Sequence, residues 1–109
     1  MRVNDLEKNE NFKLLVPGNH GEDQISKPFC CDLLSIAMNH CPAGGAWVTV
    51  MANVNTLAVA SLTDAGCVIL ACGSSFDDAT IEKAIAEGIT VYTTDLESFE
   101  AAYEVYQNL

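Results

Sequence analysis

The sequence is short of positive charge. Five Lys and Arg stand against fifteen Asp and Glu in 109 residues, a formal net charge of −10 at pH 7. Residues 1–27 hold four of the five bases, and from Pro28 onward ten acids face Lys83 alone. Such a surface repels a phosphate backbone, which excludes nucleic-acid binding by counterion release, and it argues against docking on anionic membranes. It favours solubility and suits a basic partner. No run reaches the roughly 18 uninterrupted apolar residues of a membrane helix. The opening "MRVNDLEKNE" is polar and charged, unlike a signal peptide, so the expected location is the cytoplasm. Gly and Pro are sparse and half the residues are apolar, which excludes a disordered composition and leaves enough for one core, expected as one domain over residues 1–109.

Signatures of chemistry are missing too. There is no G-x-x-x-x-G-K-[ST], no G-x-G-x-x-G, no H-E-x-x-H and no G-x-S-x-G; "PAGGAW" precedes a strand instead of following one. Lys83 belongs to an exposed helix face and Arg2 to the terminus, so no cation is placed to neutralise a phosphoryl group. No catalytic residue, metal or cofactor is expected. The five cysteines (Cys30, Cys31, Cys41, Cys67, Cys72) are odd in number and carry no export signal, so they read as reduced thiols. An adjacent pair is too tight for a metal chelate. Cys41 lies beyond a helix, Cys67 and Cys72 bracket one strand and point to opposite faces, and neither His20 nor His40 has the spacing to join them. Their expected role is that of small buried apolar groups. Cys31 stands just before a helix N-terminus, which favours a thiolate, while the neighbouring Asp32 opposes it.

What is present is strand–helix alternation. "NDLEKNE" reads as a short helix capped by Asn4, "NFKLLVP" as a strand, and "ISKPFCC" as an extended piece that Pro28 confines to a sheet edge. Asp32 is expected to cap "LLSIAMNHC", whose Leu33, Ile36, Ala37 and His40 share a face. "AWVTVM" and "CVILAC" are near-continuous apolar strands of the kind buried on both faces. Between them Asn53 or Asn55 caps "TLAVASLTDA", closed by Gly66. Asp77 or Asp78 caps "ATIEKAIAE", closed by Gly88. "ITVYTT" is the next strand, and Asp95 is expected to cap "LESFEAAYEVYQN". In that last helix Leu96, Phe99, Tyr103 and Tyr106 form one side, and Glu97, Glu100, Glu104 and Gln107 a solvated one. The helix over 54–65, low in charge and rich in small residues, is either deeply buried or a self-association surface. The pattern implies βαβ units: a single α/β domain of three layers, its mostly parallel sheet of about five strands covered by helices on both faces.

Ligands of open α/β sheets bind outside the carboxyl ends of the strands. Those ends here are "MANVN", "ACGSS" and "YTTD", each preceding a helix N-terminus. Asn53, Asn55, Ser74, Ser75, Thr93 and Thr94 are therefore candidates for one shallow pocket, or simply helix caps.

"ISKPFCCDLLSIAMNH", "GGAWVTVMANVNTLAVASLTDAGCVIL" and "ATIEKAIAEGITVYTTDLESFEAAYEVY" in this order resemble the small stand-alone DRTGG-domain proteins, the C-D-L-L-S and A-W-V-T-V blocks most specifically. The resemblance implies a fold similar to the N-terminal domain of HPr kinase/phosphorylase and a regulatory, ligand-binding or dimerising role. Adenine-nucleotide derivatives are one implied ligand class, and such short members are often encoded near iron-hydrogenase genes. It carries over Asp32, Ser35, Asn53 and Asn55 as candidate ligand contacts. Where the family has Arg and a glycine pair, this chain has Gln24 and then Ser26-Lys27-Pro28, so no phosphate-binding role of that loop is carried over. Three readings follow: a non-catalytic homodimeric regulatory module with a small-molecule nucleotide ligand or a protein partner; a thiol-dependent redox factor or enzyme using Cys31 and Asp32; and an acidic scaffold for a basic partner.

Overall fold

The computed structural model describes residues 1–109. A 3₁₀ helix (Val3–Lys8) is followed by β1 (Lys13–Val16), β2 (Pro28–Cys30), α1 (Leu34–His40), β3 (Ala46–Thr49), α2 (Val54–Leu62), β4 (Cys67–Leu70), α3 (Asp78–Glu87), β5 (Val91–Thr93) and α4 (Ser98–Gln107). One mixed sheet runs in the order β1-β5-β4-β3-β2. β2, β3, β4 and β5 are parallel, and β1 joins β5 antiparallel. The expectation of a mostly parallel five-stranded sheet with helices on both faces holds. No helix is long and apolar enough to cross a membrane.

The central strands form because their residues are apolar on both sides. All four positions of β3 and of β4 are buried. Alternation then sorts them into two cores. Trp47, Val68, Leu70 and Val91 face α1, α2 and α3, while Ala46, Val48, Cys67, Ile69 and Tyr92 face the 3₁₀ helix and α4. The three crossovers between β2 and β5 each step one strand in the same direction, which puts their helices on one face. The segment after β5 turns to the other face. Both edges are blunted: β2 begins at Pro28, which has no N–H, and β1 carries a register irregularity between Leu14 and Val16.

Asn53 and Asp77 cap α2 and α3, each side chain accepting a backbone N–H of the first turn, and Gly88 closes α3 at φ 70°. Gly88 leaves room for the loop after β1. Gly18 passes so close to the Gly88–Thr90 backbone that a Cβ there would collide with it.

Four boundaries differ from the sequence reading. Asn4 is no cap: the 3₁₀ helix starts from Arg2, whose backbone N–H donates to Asp5 Oδ2 at 2.8 Å. Helix α1 starts from Leu33 rather than Asp32, with no side-chain cap. Its buried face falls accordingly on Leu34, Ala37 and Cys41, while Leu33, Ile36 and His40 are exposed. Gly66 does not close α2. Asp64 takes the left-handed turn at φ 56°, and Gly66 lies beyond it against Gly44, where a Cβ would meet the Gly44 carbonyl oxygen at 2.9 Å. Asp95 does not cap α4, which begins after Glu97. The aromatic side of α4 is turned outward: Phe99, Tyr103 and Tyr106 are exposed, and the small Ala101 and Val105 face the sheet.

Candidate functional site

β4 and β5 end side by side, but their continuations part. Residues 71–77 lead to α3 on one face of the sheet, and residues 94–97 lead to α4 on the other. A crevice opens where neighbouring strands send their connections to opposite faces. Here it is a cleft of about 330 Å³. Ser74 and Ser75 form one wall, Thr93, Thr94 and Asp95 another, and the amino end of β1 closes it with Glu10, Asn11 and Lys13. β1 reaches this point because it is antiparallel, pairing Lys13 with Thr93.

The rim is tightly tied. Cys72 (φ 57°) and Gly73 (φ 72°) are both left-handed. That conformation costs a non-glycine residue on the order of 1 kcal/mol and persists only where the surroundings impose it. The Cys72 N–H donates to the Leu96 carbonyl at 2.8 Å and that of Gly73 to the Thr94 carbonyl at 3.0 Å, lashing the β4 tip to the β5–α4 loop. Ser74 N–H donates to the Ala71 carbonyl, and the Thr94 hydroxyl accepts the Leu96 N–H at 3.1 Å. The tip therefore spends three successive N–H groups internally and offers no amide nest to an anion. Lys13 is the one cation of the lining, against Glu10 and Asp95. Hydroxyls, an amide and charges of both signs suit a polar ligand with little net negative charge where it contacts the cleft.

The sequence candidates divide. Ser74, Ser75, Thr93 and Thr94 line this cleft, and Asp32, Ser35, Asn53 and Asn55 do not. Asp32, expected as a helix cap, reaches the end of β3 instead. Its Oδ1 accepts from the Thr49 hydroxyl at 2.8 Å and the Val50 N–H at 2.9 Å, satisfying a hydroxyl that has no access to water. Asn53 Oδ1 is engaged as a cap by the Asn55 N–H at 3.0 Å. Ser35 and Asn55 are exposed beside these two. Glu10, Asn11 and Lys13 were missed, because the carboxyl ends of parallel strands do not reveal the amino end of an antiparallel neighbour, and Asp95, in the strand end "YTTD", was read only as a cap.

The cysteines are all free; Cys41 and Cys67 are buried as expected, whereas Cys30 and Cys72 are exposed and Cys31 is half-buried. Cys67 is fully buried, and burial pushes its thiol up to about 12. Burial, then the charges of Asp32 and Cys31, also raise Cys30. Cys31 Sγ lies 3.3 Å from the Leu33 carbonyl oxygen. With Asp32 committed to β3 and the neighbouring thiol raised, this corner lacks the electropositive surroundings of a reactive thiolate. No three His, Cys, Asp or Glu side chains converge to hold a metal ion.

No protein-family model matches the sequence, and no curated protein matches it. Among solved structures the chain is similar to the CBS and DRTGG domains of the regulatory region of Clostridium perfringens pyrophosphatase, crystallised with its activator diadenosine tetraphosphate. The TM-score is 0.80 at 16% identity, over 99% of this chain and 47% of that one. The chain thus spans about half the length of that region. The likeness establishes a shared fold, DRTGG-like as the sequence blocks imply.

Proposed function

We propose that this chain is a non-catalytic regulatory module of the DRTGG type, which binds a small ligand in the β4–β5 cleft and works as a homodimer. On this reading its fold would also be that of the N-terminal domain of HPr kinase/phosphorylase, as the sequence resemblance implies. The observation that carries the reading is the polar cleft at the point where the chain parts to opposite faces of the sheet, on a fold shared with a regulatory region. The cleft holds hydroxyls, one ammonium group and the carboxylates of Glu10 and Asp95; no cleft hydroxyl is hydrogen-bonded to either carboxylate as a nucleophile is to its base, which fits recognition better than turnover. Adenine-nucleotide derivatives are the first ligand class, with base and ribose against the hydroxyls and the phosphates left outside the cleft. The regulated system would be a larger metabolic one, such as a hydrogenase.

A thermal-shift titration with AMP, ATP and diadenosine tetraphosphate tests the ligand. A nucleotide at about a hundred times its Kd should add about 2.7 kcal/mol of stability, several degrees in Tm for a chain of this size. Ser75→Trp, which fills the cleft from an exposed position, should abolish the shift and leave the unliganded Tm alone. No shift with any of the three would end the nucleotide reading, and a shift that survives Ser75→Trp would move the ligand elsewhere.

Self-association has its own support. No Asp, Glu, Lys or Arg occurs from Leu33 to Thr63. That stretch builds α1 and α2, whose outer side exposes Ile36, Met38, Val54 and Leu62. On a molecule of charge −10 this is where two copies meet without like-charge repulsion. Sizing should show a dimer, and Leu62→Glu, at a side chain already 72% exposed, should give a folded monomer. A wild-type monomer at every concentration would refute this part.

A further inference from the structure

The aromatic side of α4 has no partner within the chain. Phe99, Tyr103 and Tyr106 are 74%, 54% and 66% exposed. The rings of Phe99 and Tyr103 stack with centroids 6.1 Å apart. With Ala102 and Pro28 of the β2 edge they line a groove of about 230 Å³ whose accessible lining is entirely apolar. A small-molecule site needs several convergent polar groups to fix orientation, and the side chains of this groove offer only the hydroxyls of Tyr103 and Tyr106. Strand addition at the β2 edge is also disfavoured, since that strand is three residues long and starts with a proline.

We infer that this groove docks an amphipathic helix of a different protein, with apolar side chains on one face and Lys or Arg beside them. Phe99 to Tyr106 spans about 10 Å, two turns of helix, the reach of i, i+4, i+7 anchors on a partner helix. Glu97 and Glu100 are exposed at the start of the same helix, while Glu104 is held by the Asn9 and Gln107 side-chain amides, each at 2.9 Å, and Lys27 precedes Pro28 in the chain. A basic partner meets both the carboxylates and the faces of the tyrosine and phenylalanine rings, which attract cations. A second copy would set the exposed Glu97 and Glu100 against their counterparts, at a cost in like-charge repulsion that the uncharged α1–α2 face avoids. This inference is independent of the ligand cleft on the other side of the β5–α4 loop.

The probe is a short Leu/Lys amphipathic helical peptide, followed on the ¹⁵N-labelled protein by NMR. Shifts should concentrate on residues 96–107 and around Pro28. Phe99→Ser and Tyr103→Ser, both at exposed positions, should each weaken binding about tenfold or more, with Ile85→Ser, an exposed apolar position on α3, indifferent. A Glu-for-Lys version of the peptide should not bind. Three outcomes overturn the inference: affinity unchanged in both aromatic variants, which marks mere attraction to the net charge; equal binding of the Glu peptide; and concentration-dependent shifts of α4 without any peptide, which assign the groove to a second copy.

Discussion

Replacing Trp47 by alanine should remove most of this protein's stability. Trp47 sits in the middle of β3 with no exposed surface, paired across the ladders with Phe29 and Val68. Its ring fills the core under α1 and α2, and its Nε1 donates to the Cys31 carbonyl at 3.0 Å. Truncating a buried aromatic costs about 3–5 kcal/mol, and a carbonyl left without its donor adds about 1–3 kcal/mol. Against a total of about 5–15 kcal/mol for a typical domain, Trp47→Ala should be largely unfolded at room temperature or melt far below the wild type. Trp47→Phe keeps the ring and loses only the donor and some volume, so it should fold with a smaller loss. Urea unfolding followed by circular dichroism measures both. A Trp47→Ala loss under about 2 kcal/mol would show that this core is not the main source of stability.

Stability should also fall steeply on the alkaline side. Burial pushes the Cys67 thiol from 9.0 up to about 12 and, as the main cause, the Tyr92 phenol from 10.0 up to about 12. Tyr92 is fully buried, and its hydroxyl donates to the Val3 carbonyl at 2.9 Å, a contact that requires the proton. Above pH 9 the unfolded chain releases the Cys67 proton and above pH 10 the Tyr92 proton, while the folded protein keeps both until about pH 12. The folded state then binds more protons, so each group lowers stability by about 1.4 kcal/mol per pH unit inside its window. Below pH 9 neither contributes any slope. Unfolding free energy measured at intervals from pH 8 to 11 should be flat at first and then decline twice as fast once the phenol joins. Cys67→Ala should make the decline between pH 9 and pH 10 shallower, leaving the contributions of the Cys30 and Cys41 thiols, which burial also raises. A slope between pH 9 and pH 10 that is unchanged in this variant would assign the alkaline loss to other groups.

The parts of this fold legible along the chain are those that adjacent residues decide. The apolar runs of β3 and β4 announce strands buried on both faces, and Asn53, Asp77 and Gly88 occupy caps whose partners lie within three or four residues. Half of the candidate cleft was legible for the same reason, since Ser74, Ser75, Thr93 and Thr94 follow directly from the strand ends. Glu10, Asn11 and Lys13 were not, because their place depends on β1 running antiparallel to β5, a pairing some eighty residues away in the chain.

Asp32 and α4 show where periodicity stops deciding. Asp32 precedes a helix, as a cap does, yet a buried Thr49 hydroxyl and the Val50 N–H from β3 outbid the helix for its carboxylate. In α4 two faces carry apolar residues, and the sequence favours the aromatic one as the larger. The sheet selects the other, because Ala101 and Val105 are small enough to let α4 close onto β2 and β3, where Val48 and Ile69 already fill the core. By itself, then, the sequence determined the α/β alternation, its central strands and the acidic, largely uncharged-in-the-middle character of the surface. Only the tertiary structure decided which apolar face was left for a partner and which polar residues share a cleft, because both depend on side chains that meet across the sheet rather than along the chain.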